Sequence, residues 1–317
     1  METIYITDSV QIKYETIATV GFFDGVHRGH RYLIDRMKQN ARISGLKTAI
    51  ITFPVHPRKV LQQDYQPKLL NRFEERLERL TSTGIDYCYV IDFTRAFSET
   101  SARDFIQQIL HKRLRVKELI IGYDHQFGKD RTDGYEQYVA YGQSCGMKVS
   151  QTTKLPEPGG HTSSTAIRRL LSEGQVQEAA EALSYPYALT GKVIHGNHLG
   201  RTIGFPTANL DLNDKDKIIP HEGVYAVDVE VEDRRYKGMA YIGKRPTVAS
   251  AGEQRIEVHI FDFDKDIYGQ QVRIELRNFI RPDIRFEGLE QLKEQLVLDK
   301  RSISAFFSFG NGCILES

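Results

Sequence analysis

Two domains are what this sequence predicts: an α/β domain built on a parallel sheet with covering helices, then a small antiparallel β-barrel with a terminal helix. Three observations lead there. At 317 residues the chain exceeds a usual single domain and is long enough for about two, each with its own core. Its first half alternates short β-rich runs with helical patterns, the alternation of a parallel sheet with crossover helices. Beyond Tyr185-Pro186-Tyr187 the pattern turns to β runs with little helix, which places the boundary between residues 1–184 and 185–317.

In the first half the predicted strands run from Ile17 to Phe23, Thr48 to Phe53, Tyr87 to Ile91, Glu118 to Gly122 and Met147 to Thr152. The helical stretches between them lie near Arg31 to Ile43, Arg72 to Leu80, Ala102 to Leu114 and Tyr135 to Cys145. In the first of these Leu33, Ile34, Met37 and Ala41 recur at helical spacing. Helical patterning resumes through Ile167 to Leu171 and Val176 to Leu183, then stops. In the second half the predicted strands are Tyr187 to Ile194, Gly223 to Val231, Tyr236 to Ile242, Ile256 to Phe261 and Gln271 to Phe279, followed by a helix from about Leu289 to Phe306. The tail from Gly310 to Ser317 reads as loose. No solenoid-like repeat or low-complexity tract is present.

Composition narrows the function classes. Lys+Arg 43 against Asp+Glu 42 leaves a net charge of +1, without the basic excess of a general nucleic-acid binder. Cys88, Cys145 and Cys313 are widely spaced with no C-x-x-C grouping, as expected of reduced thiols in a cytoplasmic protein. The N-terminus lacks a basic region followed by an apolar core, and no apolar run approaches the ~20 residues that span a bilayer. The expectation is a soluble cytoplasmic protein acting on small molecules, with no nucleic-acid or membrane partner.

The densest stretch is Gly21-Phe22-Phe23-Asp24-Gly25-Val26-His27-Arg28-Gly29-His30, a strand–turn–helix junction. A glycine-punctuated turn lets a ligand approach the backbone, and the N–H groups opening the next helix favour an anion such as phosphate. His27 and His30 stand at the mouth of that helix, where their ring N–H groups add donors around a phosphoryl group. Ligands of parallel sheets gather at the carboxyl ends of the strands. Phe53-Pro54-Val55-His56-Pro57, Gly122-Tyr123-Asp124-His125-Gln126-Phe127-Gly128 and Thr162-Ser163-Ser164-Thr165-Ala166-Ile167-Arg168 all follow strands in this way. The last combines hydroxyls, an arginine and a helix start, a cradle for a triphosphate or simply a Ser/Thr cap.

The second dense stretch runs from Gly191 to Asn209. Its glycines, Gly191, Gly196, Gly200 and Gly204, suit a flap over phosphates, although alone such a loop is more often a hairpin connection. It has no G-x-x-x-x-G-K-[ST] spacing. In Pro206-Thr207-Ala208-Asn209 the hydroxyl and the amide oxygen stand two apart on an extended chain and face the same way, two hard oxygen donors suited to Mg²⁺. Phosphorylating an alcohol also needs a group that orients or deprotonates the hydroxyl. Glu257 is the candidate, since alternation sets Glu257, His259 and Phe261 opposite Ile256, Val258 and Ile260.

These motifs resemble those of one family from about Thr16 to Phe307. The histidine turn is similar to the G-x-F-D-G-V-H-x-G-H signature of the nucleotidylyltransferase superfamily, in the form carried by bacterial bifunctional riboflavin kinase/FAD synthetases. The three later loops resemble that family's F-E-P-H-P, G-x-D-F-x-F-G and S-S-T-x-I-R motifs. Gly191 to Asn209 matches every fixed position of its G-x-V-x-x-G-x-x-x-G-R-x-x-G-x-P-T-A-N. Pro220 to Ala226, Gly243 to Thr247 and Glu257 to Gly269 are further likenesses. Departures fall at Pro54 and Val55, where Glu and Pro are usual, at His125, where Phe is usual, and at Tyr241, where Asn is frequent.

The resemblance implies a Rossmann-like FMN adenylyltransferase domain followed by a riboflavin kinase-like barrel, with ATP as co-substrate and riboflavin, FMN and FAD as substrates or products. By the same resemblance His27 and His30 stabilise charge in adenylyl transfer. Gly21, Phe23, Asp24, Gly29, Ser163, Ser164, Thr165 and Arg168 lie about the nucleotide there, and Gly196 and Gly200 cover it in the kinase. His56, Pro57, Asp124 and Arg281 lie near flavin, Thr207 and Asn209 hold Mg²⁺, and Glu257 is the kinase base. The competing expectations are a chain with one activity lost, and a flavin-binding regulator that forms no ATP-dependent product. Oligomeric state is not legible.

Overall fold

A computed structural model describes residues 1–62, 64–66, 68–123, 125–129, 133–154, 162–196, 199–244 and 254–309. Asp124, residues 245–247 of the Gly243 to Thr247 segment, and the tail from Gly310, all named above, lie outside the described residues. The chain divides into two compact units, Met1–Ser164 and Thr165–Ser317.

The first unit holds a six-stranded sheet, every ladder of which is parallel. Its strands are β1 (Glu2–Tyr5), β2 (Thr16–Val20), β3 (Lys47–Thr52), β4 (Tyr87–Val90), β5 (Val116–Ile121) and β6 (Lys148–Gln151), in the order β1-β4-β3-β2-β5-β6. The chain moves outward from β2 through β3 to β4 on one side and through β5 to β6 on the other. The turn after β2 therefore opens at the point where the winding reverses, the usual ligand crevice of such sheets. All five residues of β2 are buried, as both faces of a parallel sheet require. The helix Arg28–Ser44 buries Leu33, Ile34, Met37 and Ala41, the stripe expected from spacing, and ends at Gly45, whose φ of 70° suits a glycine C-cap. The stretch expected as one helix from Ala102 to Leu114 is largely a π-helix, Phe105–Arg113.

The second unit is a closed antiparallel barrel. Its strands are β7 (Ala188–Ile194), β8 (Ala208–Asp211), β9 (Gly223–Val231), β10 (Arg234–Lys244), β11 (Gln254–Ile260) and β12 (Gln271–Arg281), in the order β10-β11-β8-β7-β12-β9. Five of these were expected, and closure depends on the sixth, the four-residue β8 that bridges β7 and β11. Register shifts near Asn278 and Arg281 bend β12 where it turns around the barrel. The terminal helix Leu289–Phe309 buries Ile303 against Phe205, Val224, Ala226, Met239 and Phe261. The helices Ser164–Ser172 and Val176–Leu183, which sequence alone places with the first domain, cluster almost entirely with the barrel. There the His221 N–H donates to the Leu171 carbonyl at 2.9 Å.

Candidate active sites

In the first unit, the Gly21 N–H donates to the Ile51 carbonyl at 3.0 Å, tying the start of the histidine turn to β3. Phe23, Gly25 and Val26 then take φ values of 57°, 84° and 38°. For Phe23 and Val26 this is strained backbone, held in place because both side chains are buried in the core. His27 caps the helix that follows, its Nδ1 accepting from the His30 N–H at 3.4 Å. An accepting Nδ1 puts the His27 proton on Nε2. The two rings stack with centroids 3.7 Å apart, and Phe23 meets His30 edge-on at 5.0 Å. A Cβ on Gly29 would sit 3.2 Å from the His27 ring, so glycine allows the helix to start this close.

The His30 Nδ1 is closed from water and has no hydrogen-bond partner. Burial, then His27, His125 and Arg76, hold its pKa well below the ordinary 6.5. At neutral pH the ring is uncharged and offers an N–H dipole. His125, where the family usually has Phe, thus lies within electrostatic reach of His30.

Asp24 faces inward. Its carboxylate accepts from the Leu70 N–H at 3.0 Å and the Asn71 N–H at 3.2 Å, while its carbonyl accepts from the Ser164 hydroxyl at 2.8 Å. The residue joins the turn to two other segments of the site. Ser164 reaches the turn this way, whereas Thr165 and Arg168 continue the same helix within the second unit. His56 caps the short helix Pro57–Leu61 and meets Phe22 edge-on at 4.7 Å. Arg76, which sequence reasoning missed, lies 1% exposed with its guanidinium 3.9 Å over Phe22 and an Nη donating to the Phe53 carbonyl. It falls on the same helical stripe as Phe73, Leu77 and Leu80, and a charge on an apolar stripe is the signal that could have found it.

In the second unit, β8 and β11 pair so that Asn209 stands opposite Glu257. The Thr207 hydroxyl donates to Glu257 Oε2 at 3.3 Å, and Arg255, two residues back along β11, makes an ion pair with Oε1. Thr207, Asn209 and Glu257 therefore converge at one end of β8. A Cβ on Gly196 would run into the Asn209 amide, and one on Gly200 into the Phe205 carbonyl beside Thr207. Both glycines lay bare backbone against the two oxygen donors. His259 and Phe261, expected on the Glu257 face, are buried, His259 Nδ1 bonding the Pro206 carbonyl at 2.8 Å and Phe261 lying under the terminal helix. Burial lowers the His259 pKa despite that bond.

Tyr241 pairs with Glu257 across the β10–β11 ladder, and burial followed by Asp283 pushes its pKa up to about 12. A cavity of about 470 Å³ opens on that side, lined by Pro220, His221, Glu222, Gln254 and Asp283 among others. Arg281 sits at the end of β12 with its guanidinium committed to Asp299 of the terminal helix, at 2.8 to 3.0 Å. Asp299 is 2% exposed, so this fork anchors the helix to the barrel.

Residues 9–166 match the family model described as FAD synthetase, and residues 183–307 match that described as riboflavin kinase. A bifunctional riboflavin kinase/FMN adenylyltransferase of Listeria monocytogenes is 39% identical over 313 residues, covering 97% of this chain and 99% of its own. A protein of the same name from Escherichia coli strain K12 is 38% identical over 292 residues, covering 92% of each chain. The crystal structure of a Streptococcus pneumoniae protein named macrolide-efflux protein superposes with a TM-score of 0.88 at 34% identity, covering 96% of this chain and 99% of that one. That name is unlike those of the sequence relatives. Among the described residues no helix is long and apolar enough to cross a membrane.

Proposed function

The chain belongs to the family of bifunctional riboflavin kinases/FMN adenylyltransferases and converts riboflavin to FMN and FMN to FAD at the expense of ATP, and we propose a division of that work between its two sites. Riboflavin is phosphorylated in the barrel. Glu257 orients the 5′-hydroxyl of the ribityl chain and accepts its proton as the hydroxyl oxygen bonds to the γ-phosphorus of ATP, releasing ADP. The carrying observation is the convergence of Thr207, Asn209 and Glu257, with the Thr207 hydroxyl 3.3 Å from the carboxylate. These are hard oxygen donors, and they fit Mg²⁺ bound to ATP, with Thr207 and Asn209 as its protein ligands. When bound, the ion neutralises phosphoryl charge. Gly196 and Gly200 let the backbone close over the phosphates, and the cavity beside Tyr241 seats the flavin.

Adenylyl transfer belongs to the histidine turn. An FMN phosphate oxygen attacks the α-phosphorus of a second ATP, the bond to the bridging oxygen breaks, and pyrophosphate leaves. The rings of His27 and His30 donate to oxygens that gain charge, with the helix N-terminus behind them. Ser163 and Ser164 hold phosphates beside Gly21, Phe23 and Gly29, and Asp24 fixes the turn from within. His56 and Pro57 face the flavin of FMN, while Arg281 supports the flavin end of the kinase by anchoring its helix.

Following riboflavin, FMN and FAD chromatographically in Glu257→Ala and His30→Ala chains tests the division. The first is expected to lose FMN formation and retain conversion of supplied FMN to FAD, and the second to stop at FMN. Loss of both activities in either variant would refute it.

A further inference from the structure

The apolar stripe of the helix Phe73–Thr81 carries one arginine, and it is buried where a leucine would serve packing better. Arg76 spans two segments: its guanidinium covers the Phe22 ring of the histidine turn at 3.9 Å, and its Nη donates to the carbonyl of Phe53, the residue that opens the His56 loop. Phe22 in turn meets His56 edge-on at 4.7 Å. The Arg76 Nε has no hydrogen-bond partner, a cost that packing alone does not explain. The Asp24 carboxylate accepts from the Leu70 and Asn71 amides and acts on Arg76 electrostatically.

We propose that Arg76 is a positioning residue for adenylyl transfer, a buried charge that clasps the histidine turn to the His56 loop and sets the field in which His30 works. This rests on the assignment of adenylyl transfer to the histidine turn. The charged and titratable groups acting on His30 are His27 from its own turn, His125 from the loop after β5 and Arg76 from the helix packed below, with Asp24 opposing through Arg76. Burial and these three neighbours all disfavour the imidazolium, and Arg76 is the one among them whose charge persists at every working pH. A nearby cation keeps the imidazole neutral, in one tautomer with one N–H donor, as the pH falls.

The test is the pH profile of kcat/KM for FMN adenylylation with ATP and Mg²⁺, which reports the free enzyme. It compares wild type, Arg76→Met and Arg76→Lys, with riboflavin phosphorylation by the same chains as internal control. Arg76→Met is expected to lower adenylylation at least tenfold, mainly in kcat, and to move the acid limb to higher pH. Arg76→Lys keeps the limb near its wild-type position while losing rate, because one ammonium cannot both cover Phe22 and reach the Phe53 carbonyl. Phosphorylation stays unchanged in both.

An acid limb unmoved in Arg76→Met, or a parallel loss of both activities, would overturn the proposal and leave Arg76 a packing residue. If Arg76→Met does not fold, NMR titration of the wild-type ring protons decides, with His30 assigned by comparison with His30→Gln. Titration at or above about 6.5 overturns the proposal; titration below it supports the proposal when it rises in Arg76→Gln and overturns it when Arg76→Gln leaves it unmoved. Failure of wild type to form FAD would instead sink the underlying assignment.

Discussion

Histidines buried beside other cations bind their protons weakly, and His30 and His259 are two such residues held below the ordinary value of 6.5. In the unfolded chain both titrate near about 6.5, so below that pH the unfolded state binds protons that the folded state refuses. The sign follows: stability contributed by these residues is full above about pH 6.5 and declines as the pH drops toward their folded values. The urea midpoint is expected to fall between pH 7.5 and pH 5.5, and His259→Gln to flatten the fall; an unaltered slope would remove His259 burial as a cause. The role proposed for Glu257 is protonation chemistry. Glu257→Gln keeps the shape and the bond from Thr207 yet cannot take a proton, and is expected to slow FMN formation about a hundredfold or more in steady-state assays while the fold is kept. These residues differ in how far they could be read. Glu257, Thr207 and Asn209 stood out by alternation and spacing, whereas Arg76 and Arg255 were not singled out, and packing shows what they touch.

The glycine loop before β8 and the terminal helix act as elements. Gly196 lies so close to the Asn209 amide that any side chain must push the loop off the oxygen donors. Gly196→Ala is expected to reduce kcat/KM for ATP in riboflavin phosphorylation about a hundredfold, the scale of an ångström's misplacement, and to leave adenylylation untouched. The helix depends on one buried fork. Asp299→Asn leaves Arg281 without its counter-charge in the interior and is expected to cost about 3–5 kcal/mol, read as a lower denaturant midpoint for the barrel. Helical spacing placed both long helices, since their buried residues recur every three or four positions. Two short strands escaped. The strands β1 and β8 are defined by the neighbours they pair with, whereas β4 and β6, also of four residues, were legible because helical stretches flank them.

The two units have separate cores, and the residues proposed to act in the two steps, His30 and Glu257, lie in different units. An equimolar mixture of Glu257→Ala and His30→Ala chains is therefore expected to make FAD from riboflavin, with FMN accumulating first. No FAD from the mixture, when each variant keeps its remaining activity, would mean that FMN must pass within one chain. The sequence by itself determined the order of domains, the parallel and antiparallel character of the two sheets, and the histidine turn, the glycine loop and Glu257. Local spacing and turn chemistry are written residue by residue, so they survive without coordinates. The tertiary structure alone decided that Asp24 turns inward to fasten the turn, that Arg281 is spent on Asp299, that β8 closes the barrel and that Arg76 lies beneath the histidines. Each of these depends on which distant segments meet, and burial among such segments is what converts a common residue into a clamp, an anchor or a neutral donor.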